Sequence, residues 1–167
     1  MPQLEFFSDS AATFSKCGQF RYRLFRMWDM SKPTLLVVML NPSVAGAARN
    51  DPTISTLISF AKRWEYGSIM VLNLFAFVSP YPKVCFAQPD PVGPDNDHWI
   101  GVTIRQLSPN PTVLCAWGRK GTVMNRGEDM LRMLRSAGAK PISLGLTKNG
   151  QPRHPLRVRH DTPPIEL

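Results

Sequence analysis

Four short apolar runs, at residues 34–40, 68–77, 112–118 and 140–146, are separated by segments with helical spacing. The runs read "TLLVVML", "SIMVLNLFAF", "TVLCAWG" and "KPISLGL". Side chains alternate across a strand, so a strand with almost no polar position belongs to a sheet covered on both faces. Strands alternating with helices then imply an α/β fold, a three-layer α/β/α sandwich with a central, mostly parallel four-stranded sheet. Such sheets bind ligands at the carboxyl ends of their strands. That rule points to the loops after Leu40, Leu72, Trp117 and Leu146.

The intervening segments carry their own start and stop signals. In "DPTISTLISFAKRWEYG" (51–67), Ile54, Leu57, Ile58, Ala61 and Trp64 fall on one helical face, with Asp51 as N-cap, Pro52 at the first position and Gly67 as the stop. Further helices are expected over 94–107, opened by Asp95, and over 125–138. Upstream, "RYRLFRMWD" (21–29) alternates as a strand does, and is expected to pair with a segment before Gly18. The prolines punctuate loops rather than mark linkers, and 167 residues suit one domain over 1–167.

Charge and cysteine usage bound the setting. Residues 35–40, the longest strongly apolar run, are about a third of a membrane span, and the N-terminus lacks the basic-then-apolar order of a secretion signal. Three cysteines, Cys17, Cys85 and Cys115, show neither paired nor metal-ligand spacing. A cytoplasmic chain with reduced thiols, no cofactor, no metal and no membrane or obligatory protein partner is expected. Twenty Lys and Arg against twelve Asp and Glu, with much of the excess after Arg119, favour a polyanionic partner.

The strand-end loops hold the chemistry. "NPSVAGA" (41–47) offers the Asn41 carboxamide, a rigid Pro42, and then small residues that let a ligand reach backbone N–H groups. It also reads as a plain Asn-Pro turn. No G-x-x-x-x-G-K-[ST] or G-x-G-x-x-G follows any strand, which removes ATP and dinucleotide readings. Asn73 ends a buried strand, and a buried amide left unpaired costs about 1–3 kcal/mol, so it bonds either a loop or a ligand edge. "TKNGQPRHPLRV" (147–158) sets His154 among cations and prolines.

Taken in order, "MLNP" (39–42), "VLNLF" (71–75) and "RHPL" (153–156) resemble strand-end motifs of the uracil-DNA glycosylase superfamily. "VLCAWG" is similar to that superfamily's third strand. From about Phe20 to Val158 the chain also resembles a bacterial and phage family of unknown function. "RYRL", "MLNPS", "DPTI", "FAKRW", "NLFA", "DPVGPDND", "AWG" and "GLTKNGQPRHPL" carry that likeness. Met39 stands where the superfamily has Gly, Gly46 stands where close relatives have an acid, and no Ser follows Pro155.

The resemblance implies a monofunctional DNA glycosylase acting on a base rotated out of the stack. In that reading Asn41 orients water through its side-chain oxygen, Asp51 is the candidate base, and His154 donates to the departing base. Asn73 reads the base edge, and Phe75 or Phe77 stacks on its face. Lys148, Arg153 and Arg157, with backbone N–H groups of the 43–47 loop, hold phosphates. Leu156 wedges into the gap left by the base. The small residues Ser43, Ala45, Gly46 and Ala47 leave room for a bulky modified pyrimidine of the kind found in phage DNA, which would suit a role in defence. Two rival readings stay open: a non-catalytic nucleotide- or nucleic-acid-binding module on the same fold, and a nucleoside hydrolase or transferase.

Overall fold

A computed structural model describes residues 9–43, 49–107 and 109–167. The strands are β1 (Ser10–Phe14), β2 (Arg21–Met27), β3 (Thr34–Met39), β4 (Ser68–Asn73), β5 (Thr112–Cys115), β6 (Lys140–Ser143) and β7 (Ile165–Glu166). The helices are α1 (Pro52–Arg63), α2 (Pro82–Phe86), α3 (Asn96–Gln106) and α4 (Arg126–Ser136). All seven strands form one sheet in the order β1-β2-β4-β3-β5-β6-β7. The fold is therefore α/β, but its sheet is seven-stranded and mixed rather than four-stranded. The four apolar runs supply the adjacent strands β4, β3, β5 and β6, which pair in parallel. β1 and β2 extend one edge antiparallel, and β7 does so at the other.

The alternation along β3 explains why it sits at the centre. Leu35, Val37 and Met39 project to one face, where Ile54, Leu57, Phe60 and Ala61 of α1 cover them. Leu36 and Val38 project to the other, against Ile100 and Ile104 of α3 and Met130 and Leu134 of α4. A strand covered by helices on both sides has no place for a polar residue, and β3 has none after Thr34.

Two local signals depart from expectation, at Gly67 and at Asp95, which precedes α3 but makes no side-chain capping hydrogen bond. Asp51 caps α1 by accepting from the Ile54 N–H at 2.8 Å, with Pro52 opening the helix. Gly67, however, is not the stop. The helix ends at Arg63, and Glu65 takes the left-handed conformation, φ 63°. Gly67 is there for space: a Cβ on it would lie 1.8 Å from the Asp29 carbonyl oxygen. Its own carbonyl accepts from the Trp28 and Asp29 N–H groups at 2.9 and 3.0 Å, which locks the end of β2 against the start of β4.

Four elements lie within stretches read as loops. α2 forms inside the proline-rich segment after β4, with Pro82 in its first turn. A 3-10 segment over Arg119–Asn125, kinked at Val123 and Met124, follows β5; a second 3-10 turn covers Pro155–Arg157, and the C-terminal tail returns to the sheet edge as β7. No helix among the described residues is long and apolar enough to cross a membrane.

Candidate active site

Every parallel strand delivers its carboxyl end to the same region. β3 runs into Leu40 and Asn41, β4 ends on Asn73, β5 leads to Trp117 and Gly118, and the segment after β6 turns back to His154. Two adjoining cavities open there. The first, about 330 Å³, is lined by Asn41, Asp51, Asn73 and His154, with Arg21 and Ser43 beside them. The second, about 760 Å³, is lined by Trp117, Gly118, Arg119, Lys120, Arg153 and Arg157. They share Leu40, Pro82, His154 and Leu156 as a common wall.

In the first cavity three polar side chains, those of Asn41, Asp51 and His154, are each held at one atom and left open at another, and a fourth, that of Asn73, is open at both. The Asn41 Nδ2 donates to the Ser79 and Pro42 carbonyls at 2.9 and 3.2 Å, which fixes the amide orientation and leaves Oδ1 as an acceptor. Asp51 spends Oδ1 on the α1 cap, and Oδ2 has no partner among the described residues. Asn73 is 2% exposed, and its backbone carbonyl accepts from the buried Asn96 amide at 3.0 Å. Its own carboxamide has no hydrogen-bond partner among the described residues, although it lines the cavity.

The remaining group is His154. Its Nδ1 accepts from the Leu156 N–H at 3.2 Å, so the neutral ring carries its proton on Nε2. Burial lowers the pKa of this imidazole below the ordinary 6.5, the Arg157 charge lowers it further, and Asp51 opposes both. The ring is thereby kept neutral, with one donor to offer at neutral pH. Arg21 closes the floor at 3% exposure; burial pulls its pKa down to about 10 while the Asp51 charge raises it, and it remains cationic.

The binding residues divide. Leu156, 49% exposed, stands on the shared wall one step past the histidine turn. Arg153 and Arg157 line the second cavity, and the Arg153 Nε is tethered to the Leu146 carbonyl at 2.9 Å. Lys148 is exposed on the same loop and lines neither cavity. Ser43 lines the first, while Ala45, Gly46 and Ala47 lie outside the described residues.

Phe75 and Phe77 require correction. Phe75 is fully buried in the core under α3 and α4, its ring edge-on to Phe86 at 5.1 Å. Phe77 packs edge-on against Phe20 at 5.8 Å. Neither lines either cavity. Their apolarity serves the core: Phe75 belongs to the buried cluster and Phe77 packs against it. Sequence reasoning passed over Arg21, Trp117, Arg119 and Lys120. Arg119 and Lys120 directly follow the third apolar run, whose end holds Trp117, and that position was a usable signal; Arg21 is one of three arginines along β2, and nothing in the sequence sets it apart.

Residues 21–156 match the model of a family described as "Protein of unknown function (DUF1643)". The matched span runs from Arg21 to Leu156 and takes in both ends of the first cavity. Comparison with curated proteins and with solved structures gives no match.

Proposed function

The chain belongs to that family, and we propose that it is a monofunctional DNA glycosylase that hydrolyses the N-glycosidic bond of a flipped-out modified pyrimidine. The observation that carries the reading is the Asn73 carboxamide, buried and without a partner among the described residues, in the same cavity as Asn41, Asp51 and His154. The carboxamide presents a donor and an acceptor to the cavity. A pyrimidine edge, with one donor and one acceptor side by side, satisfies it. The uracil-DNA glycosylase resemblance of the three strand-end motifs agrees with that use.

The chemistry follows from the open atoms. Asn41 Oδ1 accepts a hydrogen bond from water and orients it toward C1′ of the sugar. As the bond from C1′ to the base nitrogen breaks, its electron pair leaves with the base, and the water oxygen bonds C1′. Asp51 Oδ2 takes the water proton. His154 Nε2–H donates to the departing base, whose negative charge is stabilised by a donor already in place. Arg153, Arg157 and Lys148 hold DNA phosphates, and Leu156 fills the vacated stack.

One observation favours the non-catalytic module: Asp51 already has a structural task as the α1 cap. The two readings separate on Asp51→Asn, because Asn caps a helix nearly as well as Asp but cannot accept the water proton. The assay incubates protein with oligonucleotides carrying modified pyrimidines and then cleaves abasic sites with alkali. Catalysis through Asp51 predicts a variant that folds and binds DNA yet releases no base. Full activity in the variant leaves water activation to Asn41, and no base release by the parent protein from any oligonucleotide leaves the binding module.

A further inference from the structure

The second cavity is larger than the first, and beyond the wall they share at His154 its lining takes no part in the bond-breaking step. Its lining holds four cations, Arg119, Lys120, Arg153 and Arg157, and no carboxylate. None of the four forms an ion pair among the described residues, whereas Lys32, Arg126, Arg132 and Arg159 each do. Four like charges around one hollow repel one another, and an anion between them relieves that repulsion.

The hollow is also built rather than merely open. Trp117, 1% exposed, lines it and is held by its indole N–H donating to Gln151 Oε1 at 2.9 Å. The Asn149 amide donates to the Arg119 carbonyl at 3.0 Å, which ties the loop after β6 to the 3-10 turn that bears Arg119 and Lys120. Gly118, φ 77°, sits with its backbone against His154: a Cβ there would approach the histidine Cβ at 3.7 Å. The cations on the two sides are thus carried by two segments fastened together.

Position decides what anion this is. The cavities share His154, Leu156, Leu40 and Pro82, so a group attached to a base beside His154 needs only a short link to enter the second. Arg119 and Lys120, on the strand-end side, have no task in the phosphate contacts above. We propose that the second cavity is a subsite for a phosphate-class group carried on the base itself, so that the substrate is an anionically substituted pyrimidine. This rests on the glycosylase reading for what occupies the first cavity.

The test uses two free nucleosides that lack backbone phosphate: 5-hydroxymethyl-2′-deoxyuridine, and the same nucleoside phosphorylated on its hydroxymethyl group. Calorimetry on the whole protein is expected to show the phosphorylated form binding about 10- to 100-fold tighter, as one or two charge-assisted hydrogen bonds give. The Arg119→Gln/Lys120→Gln protein should lose that preference and keep its affinity for the unphosphorylated nucleoside. Equal binding of the two nucleosides by the parent protein, or binding of neither, overturns the subsite. So does a double variant that loses affinity only for plain DNA, which would make these cations a backbone clamp. Base release is scored separately: a preference for the phosphorylated nucleoside without release of any base would sink the glycosylase reading and leave the subsite standing.

Discussion

Asn73 and His154 are the residues whose individual chemistry matters most. Asn73→Ala removes a carboxamide with no protein partner among those described, so the fold loses little, while a site built to bond a polar edge loses selectivity. The expected outcome is a protein with nearly unchanged thermal midpoint that discriminates poorly between modified pyrimidines; early melting with unchanged base preference would make Asn73 structural. His154 couples the site to pH. Its folded pKa lies below the ordinary 6.5, because burial, and then Arg157, disfavour the imidazolium. A base so depressed binds fewer protons folded than unfolded, so its contribution to stability is complete above 6.5 and is lost as pH falls through the folded value. Protonation also turns Nδ1 from acceptor to donor and breaks the bond from the Leu156 N–H. Urea unfolding at a series of pH values should show stability falling below 6.5 in the parent and falling less in His154→Asn, whose side-chain oxygen can stand in for Nδ1 without titrating. Equal falls would mean that the imidazole is not held neutral by the fold.

At the scale of elements, what was legible and what was not follow from range. Periodicity and caps are local, and they placed α1, α3, α4 and the four parallel strands with ends shifted by a few residues. α2 and β7 were hidden because prolines signal turns locally, while pairing at a sheet edge is a tertiary event. Gly67 shows the same limit at one position: as a helix stop it would need a positive φ, yet it stands where the chain passes under the Asp29 carbonyl. Gly67→Ala should therefore destabilise by about 1–3 kcal/mol, the usual cost of forcing a methyl into packed structure. Chemical denaturation checks this. A change of only a few tenths would mean that the β2 end yields easily and that the glycine is conformational after all.

For the molecule as a whole, the parallel strands turn residues far apart in sequence into one wall: Asn41, Asn73 and His154 belong to three separate strand ends, and Asp51 reaches them from the cap of α1. The strand-end rule made that gathering readable in advance, since it needs only the direction of the strands. It did not show that Phe75 and Phe77 turn into the core, or that Arg119 and Lys120 form the far side of a second hollow, because those depend on how each loop leaves its strand. The central claim is that the open atoms of the first cavity act on a glycosidic bond. Single-turnover base release from a modified oligonucleotide, measured beside DNA affinity for the parent, Asn41→Ala and His154→Ala proteins, tests it most directly. The account predicts release by the parent, slowed roughly a hundredfold or more in each variant, as loss of an aligned polar group in a water-excluding site does, with affinity held within a few fold. Release that survives both substitutions, or variants that lose binding and release in equal measure, would contradict it.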